Sequence, residues 1–201
     1  MKKTKIKYNL VLMEEEDYSI PKKIIEKSGF IMERIDKNKY ILNFSIKNDK
    51  IILKKIITFE IMKILYEINK DIFEDFTYTK INDTSVEAYF LFKHFFSEFG
   101  LPQKYTHLNI EMIDDIDNNV ILFACQNSTT NSLIIQNKGE QMKLDSMFLK
   151  FKLTNDHNVE ITNNIFFANT AIIPAFAEKM AGIITCKMFI KIKQFIESAI
   201  V

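Results

Sequence analysis

His94 and Glu98 are the residues with the clearest potential for acid–base chemistry, because four positions separate them in the sequence. On a helix this spacing places both side chains on one face, together with Glu87, where a carboxylate could orient the imidazole for proton transfer. An ordinary ion pair on a solvated helix face has the same spacing and is the commoner case. We therefore keep an enzyme that uses a His94/Glu98 acid–base pair as a second alternative function.

The rest of the sequence lacks the motifs of catalytic, metal and cofactor sites. The three histidines do not stand at metal-ligand spacings, and the four glycines do not form a phosphate-binding loop. With 27 basic and 26 acidic residues, the net charge of +1 gives no sign of the basic surface that binds a phosphate backbone. We predict no metal and no cofactor, and a nucleic-acid partner is unsupported.

Length and composition indicate one compact α+β domain over residues 1–201. Hydrophobic residues make up 47% of the chain and 18 of them are Phe, enough to build a sizeable core. Two isolated cysteines, Cys125 and Cys186, are typical of a reducing compartment, and no apolar stretch is long enough to cross a membrane. We expect a soluble, cytoplasmic protein. The abundance of Lys, Asn and Ile points to an AT-rich source genome, a viral one included.

Apolar periodicity predicts a curled antiparallel sheet, built from N-terminal strands plus a C-terminal meander, that packs against two central helices and a long C-terminal helix. The second central helix carries the strongest local signals, with a capping box at Thr84 and Glu87, Gly100 as its C-cap and Pro102 beyond it. The predicted strands before the meander are Lys5–Met13, Phe30–Ile35, Tyr40–Ile46 and Ile51–Leu53, and the predicted helices are 21–29, 58–72, 84–100 and 174–201.

One hairpin of the meander is specific enough to predict its register. Apolar and charged residues alternate on both sides of a turn at Asn155 to His157. Pairing Leu153 with Val159 sets Phe151 opposite Ile161 on the inner face and Lys152 opposite Glu160 on the outer face.

The C-terminal helix carries two apolar stripes, and the change from one to the other begins near Gly182. The helix therefore bends there, or it crosses a twisted sheet and meets a second surface with its later half. We interpret the later stripe and the apolar chain end as an interface. The main functional prediction is a non-enzymatic interaction or assembly subunit with a protein partner or a second copy of itself. Its candidate interface residues are Met188, Ile192, Phe195, Ile200 and Val201.

The order of the elements, from Phe30 to the end of the chain, resembles that of helix-grip lipid-binding folds of the START and Bet v 1 type. This resemblance implies a cavity between the sheet and the last helix that binds an apolar small molecule or lipid, which is our first alternative function. The candidate cavity residues are Phe92, Phe96, Phe151, Phe167 and Phe176. We expect these rings to fill the core instead, because protein interiors are normally packed without voids.

Overall fold

The computed structural model describes residues 20–95, 97–128 and 139–200. In these ranges a curled sheet of ten strands packs against two α-helices. The elements are β1 (Lys22–Lys27), β2 (Phe30–Asp36), β3 (Lys39–Lys47), α1 (Glu60–Ile68), β4 (Phe73–Lys80), β5 (Ser85–Phe92), β6 (Lys104–Asp115), β7 (Val120–Asn127), β8 (Glu140–Gln141), β9 (Leu144–Asn155), β10 (Asn158–Phe167) and α2 (Ala175–Ser198).

The sheet has the strand order β1-β2-β3-β10-β9-β7-β6-β5-β4, and neighbouring strands on this path are antiparallel. The short strand β8 lies off the path and pairs in parallel with β6. Because β10 pairs with β3 on one side and β9 on the other, the N-terminal strands and the meander form one sheet. The predicted curled sheet and long C-terminal helix are confirmed, but one central helix is present where two were predicted.

The predicted hairpin register is confirmed on both faces. Leu153 pairs with Val159, Phe151 with Ile161 and Lys152 with Glu160. Phe151 and Ile161 are buried, whereas Lys152 and Glu160 are exposed. The inner face of this hairpin is therefore part of the core.

The helix predicted over 84–100 is wrong, since its first half is strand β5 and only a single 3₁₀ turn follows at Ser97–Phe99. Val86 and Phe90 belong to the core, while Tyr89 and Leu91, which point to the opposite face of the sheet, are buried as well. A strand with two apolar faces loses its period-two pattern and reads as a continuous apolar run. Its partner strand β4 was not predicted, because the sequence of β4 has no strong alternation of apolar and polar residues.

Two shorter N-terminal predictions are also corrected. Residues 21–29 form strand β1 and a turn instead of a helix, with positive φ angles of 52° at Ser28 and 78° at Gly29. A helix C-cap and a two-residue hairpin both favour glycine at positive φ, so the same residue fitted either structure. The predicted strand Ile51–Leu53 is replaced by a 3₁₀ turn at Leu53–Lys55. The predicted strand Lys5–Met13 lies outside the described residues.

Helix α2 crosses the concave face of the sheet and meets two different surfaces. Near its start it packs so closely on β1 that a Cβ atom at Gly182 would lie 2.9 Å from Ile24 Cγ2. Further along, the Phe189 ring lies 5.3 Å from that of Phe44 on β3, and Lys187 and Lys191 both pair with Asp71, just after α1. The change of apolar stripe along α2 reflects this passage from β1 towards α1.

The C-terminal end of α2 is fixed by one side chain from the loop after β3. The Asn48 amide donates hydrogen bonds to the carbonyl oxygens of Ile196 at 2.6 Å and Ala199 at 2.9 Å, and Asn48 is itself buried. The Ile196 carbonyl also accepts from the Ala199 N–H at 3.2 Å, whereas the carbonyl of Ala199, the C-cap residue, lies beyond the last helical turn and takes its donor from Asn48.

Replacement of Asn48 by Ala should lower the free energy of unfolding by about 1–3 kcal/mol, because it removes the side-chain donor of the Ala199 carbonyl and one of the two donors of the buried Ile196 carbonyl. Urea unfolding followed by circular dichroism measures the change. The control is Asn118→Ala, in the exposed β6–β7 turn, where the amide donates to the nearby Asp115 carboxylate. Equal unfolding midpoints for the two variants would contradict the role given to Asn48.

Candidate functional site

A cavity of about 290 Å³ lies between the concave face of the sheet and α2. Its walls come from the inward-facing residues of β3, β5, β6, β7, β9 and β10, from one face of α1 and from α2. Almost all of these side chains are aliphatic or aromatic. The space therefore offers burial of apolar surface over nearly its whole lining.

Contacts between aromatic rings hold the walls in place around the cavity. On one side, the rings of Phe90 and Phe92 lie 5.3 and 5.1 Å from that of Phe73. On the other, the rings of Phe123 and Phe151 meet edge to face at 5.6 Å. Such pairs are worth about 0.5–1.5 kcal/mol beyond the area that they bury, so they stabilise the positions of these rings in the wall.

The polar lining residues include a group at one end of the cavity, where β5 ends and β6 begins. Lys93, Gln103 and Lys104 lie there, beside the half-exposed ring of Phe95. The Gln103 amide donates hydrogen bonds to Glu74 Oε2 at 2.7 Å and to the carbonyl oxygen of Phe92 at 2.8 Å. We call this end the mouth.

A buried ion pair fixes the first turn of α2 on the sheet close to the cavity. Arg34 Nη1 lies 3.1 Å from Glu178 Oε1, and the Tyr40 hydroxyl donates to the same oxygen at 2.8 Å. All three side chains are buried, and the Tyr40 ring contacts Phe167 of the cavity wall at 6.0 Å. This clamp of Arg34, Tyr40 and Glu178 determines how closely the helix approaches the sheet. Arg34 is the only arginine in the chain, yet no local pattern in the sequence pairs it with Glu178.

The predicted cavity residues fall in three places. Phe92, Phe151 and Phe167 line the cavity. Phe176 lies on the first turn of α2 with 45% of its surface exposed, and its ring contacts that of Phe99 at 5.1 Å. Phe96 lies outside the described residues. Where we expected these rings to fill the core, the structure has a cavity.

The predicted interface residues are also divided. Met188 and Ile192 line the cavity, and Ile192 is buried. Phe195 and Ile200 are exposed, by 47% and 73%. Val201 lies outside the described residues. The second apolar stripe of α2 therefore faces the interior of the protein along most of its length.

The structure does not bring His94 and Glu98 together as an acid–base pair on a helix. His94 Nε2 lies 2.6 Å from the carbonyl oxygen of Leu101, and Glu98 is on the 3₁₀ turn after β5. Glu87 instead contacts His107 Nε2 and the Ser128 hydroxyl, each at 2.9 Å, on the face of the sheet away from the cavity. The helix that the prediction required is absent from this segment.

The described residues offer little other chemistry. No three His, Cys, Asp or Glu side chains among them are placed to hold a metal ion. Cys125 lines the cavity, but burial raises the pKa of its thiol to about 12, so it is protonated at neutral pH. Neither α1 nor α2 has the length and apolar character that a bilayer-spanning helix requires.

Asn163 on β10 is a polar residue of the cavity wall that the sequence analysis did not single out. It is 2% exposed, and its Oδ1 atom has no hydrogen-bond partner. In the sequence it stands in the polar run Thr162 to Asn164, which suggests an exposed strand end. Extending the alternation from Ile161 by two residues would have placed it on the inner face.

Comparisons with known proteins identify the fold. Neither a protein-family model nor a curated protein matches the chain. The human StarD13 (DLC2) lipid transfer and protein localization domain superposes with a TM-score of 0.62 at 6% identity, over 82% of each chain. Human StAR-related lipid transfer protein 5 gives 0.61 at 9% identity, over 90% of each chain. A STAR-related lipid transfer protein from Xanthomonas axonopodis gives 0.60 at 8% identity, over 83% of this chain and 92% of that one. The chain has a helix-grip fold of the START type.

These findings contradict the main functional prediction, an interaction or assembly subunit. That prediction was motivated by the second apolar stripe of α2, which lines the cavity at Met188 and Ile192. The three superposed structures are described as lipid transfer proteins or domains, one of them also as a protein localization domain. The first alternative, a binder of an apolar molecule, is the better supported.

Replacement of Glu178 by Ala should lower the free energy of unfolding by about 3–5 kcal/mol, because Arg34 stays buried without this carboxylate. The triple variant Arg34→Met/Tyr40→Phe/Glu178→Met, which removes the whole clamp, should recover much of that loss. Chemical unfolding of each variant gives the comparison.

The matched control for this experiment is Glu26→Ala, which removes a carboxylate from an exposed pair with Lys23. It should leave the unfolding midpoint almost unchanged. If Glu178→Ala unfolds at the same denaturant concentration as Glu26→Ala, the clamp does not hold α2.

Proposed function

We propose that this protein binds an apolar small molecule or lipid in the cavity between the curled sheet and α2. The observation that carries the proposal is the apolar space of about 290 Å³, which lies at the lower end of the range for small-molecule sites. Descriptions of the proteins that share the fold name lipid transfer, which agrees with this use of the space.

The energetic cost of an empty cavity supports the same proposal. Cavities made in a protein core cost about 24 cal/mol per Å³, so a void of this size would cost on the order of 7 kcal/mol. This is comparable with the whole free energy of unfolding of a typical domain, about 5–15 kcal/mol. Water gains little from an apolar space, whereas an apolar ligand restores the missing contacts.

The wall residues define how such a ligand would be held. Phe92, Phe151 and Phe167 present aromatic surface from three strands, and Met188 adds a flexible side chain that adapts to irregular shapes. Among the described residues, no carboxylate or imidazole lines the cavity, the thiol of Cys125 is held neutral, and the lysines Lys93 and Lys104 are at the mouth. The proposal is therefore binding without chemical conversion. The free cysteines Cys125 and Cys186 fit a reducing, intracellular setting.

Filling the cavity should abolish binding without loss of the fold. Thr185 lines the cavity from α2, and Thr185→Phe adds volume there. We expect wild-type protein to bind a fluorescent fatty-acid analogue saturably. Thr185→Phe should bind it at least about tenfold more weakly, which corresponds to a loss of about 1.4 kcal/mol of binding free energy because the new ring occupies the space of the ligand. Probe fluorescence in a titration measures both.

The control for this test is Ala175→Phe, the same new side chain at an exposed position at the start of α2 that does not line the cavity. It should bind the probe like the wild type. Circular dichroism checks that each variant is folded. Equal probe affinity for Thr185→Phe and wild type would place binding elsewhere, and no binding to wild type by any apolar probe would refute the proposal.

A further inference from the structure

Asn163 stands out because it is an amide in an otherwise apolar row. On β10 it follows Ile161 on the inner face and precedes Ile165, and both of these residues line the cavity with it. Its cross-strand neighbours are Leu42 on β3 and Leu149 on β9. A residue enclosed by apolar neighbours in this way would ordinarily be apolar itself.

The Asn163 amide has no structural role of the kind that other buried amides have. Asn69 and Asn127 also leave Oδ1 without a partner, but their Nδ2 atoms bond backbone carbonyls, Asn69 that of Leu65 and Asn127 those of Met142 and Leu144. Neither of these two residues lines the cavity. Asn163 does, and within the described ranges no side-chain hydrogen bond ties its amide to the protein.

An unpaired buried amide is unfavourable, and a ligand group could supply its missing partner. A carboxamide offers both an acceptor and donors, and an alcohol hydroxyl offers one donor and two acceptor positions. The two groups can therefore satisfy each other whichever way the amide is turned. A few polar groups placed in this way orient a ligand in an apolar pocket.

The position of Asn163 argues against a charged ligand group at this point. Phe167 lies on the side of the mouth, because its partner Leu144 bonds Met142, whose N–H donates to the carbonyl oxygen of Tyr105 next to Lys104. Asn163 lies four residues back along β10 from Phe167, roughly 13 Å at 3.3 Å per residue. The lysines that line the cavity, Lys93 and Lys104, are at the mouth. A carboxylate or phosphate beside Asn163 would be a buried charge without a cation, which is strongly unfavourable.

We propose that the ligand is a neutral apolar molecule that carries a hydroxyl group, and that this hydroxyl enters first and hydrogen-bonds the Asn163 amide. This inference rests on the proposed function, because it specifies the ligand of the same cavity. Asn163 is then the residue that determines specificity, and the apolar walls supply most of the affinity.

The test compares two small probes of equal length, 1-octanol and n-nonane, as competitors of the fluorescent fatty-acid analogue. Wild-type protein should bind 1-octanol about 5- to 100-fold more tightly than n-nonane, after correction for their transfer from water to hydrocarbon, since the amide gains its partner only from the alcohol. Asn163→Leu should reduce this corrected preference to about onefold.

The matched control is Asn164→Leu, because the next residue on β10 points to the other face of the sheet and does not line the cavity. It should keep the wild-type preference. Asn163→Leu should also unfold at a higher denaturant concentration than wild type without ligand, since it removes an unpaired buried amide. Loss of its fold would be seen in that measurement.

The outcomes separate the two proposals. If wild type binds both probes with no corrected preference, or if Asn163→Leu keeps the preference, the hydroxyl inference is wrong and apolar binding stands. If the fluorescent analogue does not bind, neither probe has anything to displace. The proposed function then fails, and the inference fails with it.

Discussion

A curled sheet has a concave apolar face that must be covered, and α2 covers much of it. The helix is held at its two ends by polar groups. Glu178 bonds Arg34 and Tyr40 near its start, and Asn48 bonds the carbonyls near its end. Between these attachments the helix rests on Gly182 and Phe189. Because both ends are fixed, the helix cannot settle into the space that remains between it and the far strands.

That remaining space follows from the shape of the sheet. Aromatic contacts within the wall, such as Phe73 with Phe90 and Phe123 with Phe151, give these rings packing partners in the wall itself, and the centre stays open. Three of the rings that we expected to fill the core, Phe92, Phe151 and Phe167, are thus wall residues. Composition is the same for a filled core and for a lined cavity, so only the placement of α2 relative to the sheet distinguishes them. The clamp at Glu178 is therefore as relevant to ligand binding as the rings themselves.

The parts of the fold that could be predicted from the sequence are those in which one face of an element is apolar and the other is charged. The hairpin that pairs Phe151 with Ile161 and the long final helix are of this kind. Prediction failed where burial on both faces removed the alternation, as in β5, and where a glycine suited two structures, as at Gly29. Asn163 was missed because its neighbours in sequence are polar, although the register of β10 puts it among apolar neighbours in space. Long-range contacts such as Arg34 with Glu178 leave no local signal.

Native mass spectrometry of the purified protein is the experiment to do first, because it reports a ligand in the cavity without requiring that its identity be known. Under gentle conditions we expect a species heavier than the bare chain by a few hundred daltons, and loss of that mass on denaturation. Delipidated protein should regain such a mass on incubation with a neutral lipid extract. A single species at the mass of the bare chain, before and after that incubation, would show that the cavity holds no such ligand.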